Sequence, residues 1–251
     1  MLPTTTVRSR RSAASQRMHF GGWSTYMRRL SKPKQMDLEY TFWLMLQLCT
    51  SPKTAYRHTS YHKDTKNQWS RDDPAFLVIT SAFVAISSIA YCVVFGNGFV
   101  SSIGTTLYAV VVDFLLVGAI IATLGWGLSN KFLRRKNLPS HAVEQHVEWM
   151  YAFDVQCNSF FPLFLLLHVG QFILSPVLLS KGFLGLVLAN ALYVVALGYY
   201  HYLNFLGYSA LPFLEKTEIF LYPIGLLLMS LPFVILSQFN PTKFVLGLYF
   251  G

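Results

Sequence analysis

Four residues between positions 141 and 148 have side chains that could bind a metal ion or carry out hydrolysis: His141, Glu144, His146 and Glu148. Residues three or four positions apart share a helix face, so His141, Glu144 and Glu148 could face one ion. His146 falls outside that face, and the chain has neither an HExxH motif nor the tight ligand spacing of a zinc site. The pattern favours a solvated helix face, and we expect no metal, no cofactor and no catalytic residue.

Polar side chains inside apolar stretches form a second group of candidates. Asp113 is the one charged residue between Thr105 and Trp126. A carboxylate at the centre of a bilayer costs about 2.5–3.5 kcal/mol on insertion scales, so we expect Asp113 to face other helices. The candidate partners are His168, Gln171, Asn190 and His201.

Such intramembrane groups allow two interpretations. A small transporter or channel would use Asp113 as a proton relay or a substrate site, and this is an alternative function for the chain. Hydrogen bonding between helices explains the same residues without transport. We favour the structural interpretation, because the sequence has no internal repeat of the kind that many alternating-access transporters show.

A third group lies in two stretches, residues 51–76 and 131–162, in which aromatic side chains are mixed with charged ones. The candidate partner-binding residues are Tyr61, His62, Lys63, Lys66, Trp69, Arg71, Glu148, Trp149 and Asp154. In residues 51–76, the aromatic and basic residues together can stack on nucleic-acid bases. Beside a membrane they more often anchor the chain at headgroup depth, which is the interpretation that we favour.

Asp154 belongs to a predicted helix face. Val143, Val147, Met150 and Asp154 recur at helical spacing. An acid on an otherwise apolar face indicates a buried basic partner. The candidates are Arg57 and Arg71.

The amino-acid composition indicates whether the chain folds in water or in lipid. Of the 251 residues, 53% are hydrophobic and 12% are charged, whereas a soluble domain carries about 25% charged residues. These values exclude a disordered protein, a coiled coil and an ordinary soluble enzyme. The three cysteines are an odd number at no metal-like spacing, so a disulfide framework is excluded as well. The composition predicts an all-α, polytopic membrane protein.

Hydrophobic windows give the number of membrane crossings. A spanning helix needs about 20 apolar residues, because the hydrocarbon core is about 30 Å thick. Five windows qualify within a membrane domain at residues 74–236. The predicted spans cover residues 75–96, 105–126, 160–179, 183–203 and 219–236. Residues 127–159 then form a loop, and residues 237–251 form a tail that is too short to cross.

Basic residues predict the orientation. Thirteen Lys and Arg residues precede the first span and four lie in the second loop, whereas the opposite side carries only Lys181 and Lys243. The positive-inside rule therefore places the N-terminus and the 127–159 loop in the cytosol, and the tail on the other side of the membrane.

Two further elements precede the first span. Residues 1–35 contain eight basic residues and no acid, which predicts a disordered cytosolic arm that could bind anionic lipid or, as an alternative, RNA. Within the segment 36–73, apolar residues recur at helical spacing and predict an amphipathic helix lying on the membrane. The stripe consists of Leu38, Phe42, Met45, Leu46 and Cys49.

Three sequences make the resemblance to a known family specific: YHKDTKNQWSRDDPAF, FLRRKNLP and VEWMYAFDVQCNSFFP. With them the chain resembles the Unc-fifty family of Golgi multi-pass membrane proteins over residues 36–250. The resemblance implies five spans with a cytosolic N-terminus, in agreement with the charge distribution. It also implies a role in vesicle and protein trafficking.

The family's implied partners are a large Sec7-type exchange factor for Arf GTPases, recruited to Golgi membranes, and membrane-protein cargo bound for the cell surface. An RNA-binding member has been described, although we do not favour nucleic acid as a partner here. The family has no established catalytic residues. We therefore expect a non-enzymatic protein of the Golgi membrane, or also of the endoplasmic reticulum. The segments 36–73 and 131–159 are expected to lie side by side as its recognition surface.

Overall fold

A computed structural model of the chain describes residue 26 and residues 36–57, 68–135 and 145–250. The basic arm, apart from residue 26, lies outside the described residues. The numbered helices are α1 Leu38–Thr50, α2 Ala75–Val94, α3 Phe99–Leu133, α4 Trp149–Leu178, α5 Phe183–Ser209, α6 Tyr222–Leu236 and α7 Pro241–Phe250. A 3-10 turn at Thr217–Leu221 leads directly into α6.

Helices α2, α3, α4 and α5, together with α6 and its 3-10 turn, are long and apolar enough to cross a membrane. The five-span, all-α prediction is therefore confirmed. Helices α3 and α4 have 35 and 30 residues, well beyond the windows 105–126 and 160–179. A hydropathy window measures apolar length, whereas the helix itself continues wherever its backbone hydrogen bonds do.

The predicted helix face of Val143, Val147, Met150 and Asp154 requires a helix that includes Val147, but α4 begins after that residue. The Val147 backbone is held outside a helix by Asn130, which accepts from its N–H at 2.9 Å and donates to its carbonyl at 3.0 Å. The indole of Trp126 donates to the same carbonyl at 2.9 Å. The expected face is therefore corrected: the helix starts at Trp149, because side chains from α3 take the place of helical hydrogen bonds.

Helix α4 is the centre of the bundle. It packs against α3 and α5 on two sides and also contacts α1 and α2. Its first turns are buried, including Val155 and Cys157. By contrast, the outer faces of the spans carry exposed apolar side chains such as Leu124, Ile173 and Leu236. Apolar surface on this scale is what a lipid solvent requires.

The predicted apolar stripe of helix α1 is divided between buried and exposed residues. Leu44, Met45 and Leu48 are buried, whereas Leu38 and Phe42 are exposed. The exposed residues form their own row at helical spacing, continued by Leu46 and Cys49. Helix α1 thus packs one apolar face on the bundle and leaves a second one open, as an interfacial helix would.

Helix α7, in the tail, folds back onto the bundle. Its Tyr249 hydroxyl donates to Asp113 on α3, and its Phe250 ring stacks on Phe95 at the end of α2. Leu246 is buried. The tail is therefore an integral wall of the helix bundle.

Candidate functional site

An ion pair joins the segment before the first span to helix α4. The Arg71 guanidinium lies 3.2 Å from Asp154 Oδ1, and the Arg71 backbone N–H donates to Asp154 Oδ2 at 2.7 Å. The guanidinium also lies 4.5 Å from the centre of the Phe76 ring. Of the two cations proposed for Asp154, Arg71 is the partner.

The Arg71–Asp154 pair is largely buried. Only 14% of the Arg71 side chain and 9% of the Asp154 side chain are exposed. Burial acts to lower the pKa of Arg71, but the neighbouring Asp154 carboxylate raises it, and the net pKa is above the ordinary arginine value. Arg71 therefore stays charged, and its contacts with Asp154 join the segment before α2 to α4.

A second acidic side chain strengthens the same connection. Glu148, just before α4, accepts from the Ser70 hydroxyl at 3.0 Å and from the Ser70 N–H at 3.3 Å. The adjacent Trp69 is buried, with its ring edge-on to Tyr151 and Phe213. Residues 69–71 are thus held by three successive contacts with α4 and with the chain after α5.

The two candidate tryptophans have different environments. Trp69 is 7% exposed, so in this conformation its ring is part of the core. Trp149 is half-buried, stacks on Phe153 with ring centres 5.5 Å apart, and donates its indole N–H to Thr123 at 2.9 Å. Neither ring is presented freely to a partner, and their binding role remains a prediction.

A third segment completes this end of the bundle. The end of α3 pairs with the chain after α5 as a short bridge between Arg134 and Leu214. Beside it, the Arg135 guanidinium lies 2.6 Å from Glu215, and both side chains are about half exposed. Sequence reasoning missed this contact, because Arg135 was considered only as one of the basic residues of the loop and Glu215 lies 80 residues away.

Four of the candidate partner-binding residues fall outside the described part of the chain: Tyr61, His62, Lys63 and Lys66. The same is true of His141 and Glu144 from the metal pattern. Among the described residues, no three His, Cys, Asp or Glu side chains are arranged to hold a metal ion.

Asp113, His168 and Asn190 lie in the other half of the bundle, whereas His201 lies near Ala152 and Gln156 of α4. Asp113 bonds to Tyr249 rather than to His168, Gln171, Asn190 or His201, which corrects the expected pairing. Asn190 instead donates to the backbone carbonyls of Leu186 and Phe239. His168 and Gln171 nevertheless line the same cavity as Asp113. Transport through Asp113 stays a prediction.

The fold defines a multi-pass helical membrane protein. At the start of α4 it has a braced face, formed by residues 69–71, 148–154 and 213–215. Comparison with known families is specific. The UNC-50 family model matches residues 26–250. The chain belongs to the UNC-50 family, which confirms the resemblance found in the sequence.

Individual relatives match most of the chain. The chain is 51% identical over 227 residues to the "Protein unc-50 homolog" of Dictyostelium discoideum, covering 90% of this chain and 87% of the relative. It is 47% identical over 205 residues to the "Protein unc-50 homolog" of Homo sapiens, covering 81% and 78%. These names describe no enzymatic activity. No solved structure matches the chain.

Proposed function

We propose that this chain is a non-enzymatic trafficking protein of the Golgi membrane, or also of the endoplasmic reticulum. It recruits a large Sec7-type Arf exchange factor and thereby supports delivery of membrane cargo to the cell surface. The N-terminus and the face around Arg71 lie in the cytosol, and the C-terminus lies in the lumen. This orientation follows from the distribution of basic residues.

The observation that carries the proposal is the braced face itself. The chain before α2, the start of α4 and the chain after α5 are far apart in sequence, yet they are joined through Arg71, Glu148 and Phe213. A face assembled from rigid segments loses little conformational entropy when a partner binds. This arrangement suits a constitutive docking platform.

Burial distinguishes residues that shape the platform from residues that can touch a partner. Trp69 and Asp154 are buried, so they support the surface from beneath. Phe132 is 62% exposed, and the neighbouring Arg135 and Glu215 side chains are half exposed. We assign direct contact with the exchange factor to this rim.

The test reverses charge on the rim, and a double swap does so while keeping an ion pair between positions 135 and 215. The full chain is reconstituted in nanodiscs, and binding of a purified large Sec7-type exchange factor is measured for Arg135→Glu, for Glu215→Arg and for the double swap. All three should bind more weakly, because the partner meets inverted charges. Lys243→Glu, an exposed reversal in the tail, is the matched control and should bind normally.

The double swap is the informative variant, since it restores an ion pair of opposite polarity. Normal binding by the swap would show that the pair matters only for folding, and would remove the rim from the contact surface. Normal binding by all three variants would contradict docking at this face.

A further inference from the structure

A cavity of about 230 Å³ lies in the half of the bundle away from the braced face. It is enclosed by α2, α3, α4 and α5, and α7 forms its outer wall. Its polar lining consists chiefly of Asp113, His168, Gln171, Tyr91, Tyr193 and Tyr249. Asp113 and Tyr193 are only partly buried, so the cavity reaches the molecular surface.

The acid and the histidine of the cavity lie on irregular helical turns. Asp113 lies within a π-helical stretch, Ala109–Leu116, and His168 lies within another, Leu165–Gly170. A π turn inserts an extra residue and is rare, and such turns occur frequently at functional sites. Two of them on neighbouring helices aim polar side chains into one space, which packing alone does not require.

The charge of the lining limits what the cavity can bind. The hydrogen-bond partner of the Asp113 carboxylate is Tyr249, and among the described residues no cation forms an ion pair with it. Neither Lys nor Arg lines the cavity, so an anionic headgroup would meet an uncompensated carboxylate. The rings of Tyr91, Tyr193 and Tyr249 also line the cavity, and aromatic rings attract cations.

We propose that this cavity binds the ammonium group of an amine amphiphile, with Asp113 as counter-ion and the tyrosine rings around the cation. The volume exceeds the roughly 150 Å³ that hold a benzene molecule and is below the roughly 300–1,000 Å³ of drug-sized sites. It therefore suits a headgroup rather than a whole lipid. The tail of the amphiphile extends between the spans into the surrounding lipid, where the outer helix faces are apolar.

This site is separate from the proposed docking face, and its test does not depend on the exchange factor. Binding is measured on the full chain in a maltoside detergent, which carries neither charge nor ammonium. The probes are oleylamine, oleyl alcohol and oleate, which share one chain and differ in the headgroup. Choline serves as a soluble ammonium without a tail.

Oleylamine should bind, and oleyl alcohol and oleate should bind at least about tenfold more weakly, because only the amine forms a charge-assisted contact with Asp113. Asp113→Asn should lose the preference for the amine. Glu218→Gln, which neutralises an exposed carboxylate at the other end of the bundle, should retain it. Ala109→Phe fills the cavity without changing its charge and should block all of the probes.

Thermal unfolding of each variant shows whether it is folded. If Ala109→Phe does not fold, the smaller change, Asp113→Asn, provides the test of the proposal. Choline binding that is sensitive to Asp113 would identify a soluble amine as the source of the cation. If oleylamine binds and choline does not, the source of the cation is a lipid amine. Equal binding of amine and alcohol, unchanged amine binding in Asp113→Asn, or no amine binding would overturn the proposal.

Discussion

Removing one partner of the buried pair of Arg71 and Asp154 should destabilise the chain far more than removing one partner of the half-exposed pair of Arg135 and Glu215. Removing one partner of a buried pair leaves an uncompensated charge and costs about 3–5 kcal/mol. Asp154→Asn should cost about 3 kcal/mol of unfolding free energy, the lower end of this range, because an asparagine oxygen can still accept from the Arg71 backbone N–H. Glu215→Gln should cost about 1 kcal/mol or less, as exposed pairs do.

A double-mutant cycle isolates the interaction from the loss of each side chain. The inner cycle consists of Arg71→Met, Asp154→Asn and the combined variant, and the outer cycle of Arg135→Met, Glu215→Gln and their combination. We expect a coupling energy of about 2 kcal/mol for the inner pair and well under about 1 kcal/mol for the outer pair. The inner double variant should recover part of the stability lost by Asp154→Asn, because it buries no lone charge.

The assay is reversible unfolding of the purified chain in mixed micelles titrated with a denaturing detergent, followed by tryptophan fluorescence. The free energy of unfolding is extrapolated to zero denaturant for each variant. Equal coupling energies for the two cycles would refute the reasoning, since burial is the property that separates them. A negligible cost of Asp154→Asn would show that water reaches the pair.

Two further changes test how the bundle is packed. Gly207→Ala should destabilise the chain by about 1–3 kcal/mol, because an added Cβ would lie 2.6 Å from a methyl carbon of Val155. Gly198→Ala on the same helix has nothing within 4 Å of the added Cβ, so this control should be neutral or stabilising. Equal effects of the two changes in the unfolding assay would contradict the close approach of Gly207 to Val155. Asn130→Ala should lower the free energy of unfolding by about 1–3 kcal/mol, because it leaves the Val147 N–H without its acceptor. The direct measurement is amide hydrogen exchange at Val147, which should be faster than in the parent chain. Unchanged exchange would mean that another group holds this segment.

Local patterns predicted much of the architecture correctly. Uninterrupted apolar windows predicted five spans, because no soluble fold accommodates them, and an acid on an apolar face predicted a buried cation for Asp154. The same reasoning failed at Val147, where an asparagine on α3 replaces the helical hydrogen bonds. It also failed to find Tyr249, since a short apolar tail carries no signal that distinguishes an interfacial segment from one that packs on a distant helix.

The sequence by itself determined the class of protein and its number of crossings, because lipid imposes a minimum apolar length on every spanning helix regardless of what surrounds it. It also identified the unusual charged residues, whose burial is costly enough to demand an explanation. Only the tertiary structure decided the partners: Arg71 for Asp154, 83 residues away, and Tyr249 for Asp113, 136 residues away. Such contacts depend on how the helices pack against one another, and no periodicity within a single helix encodes them.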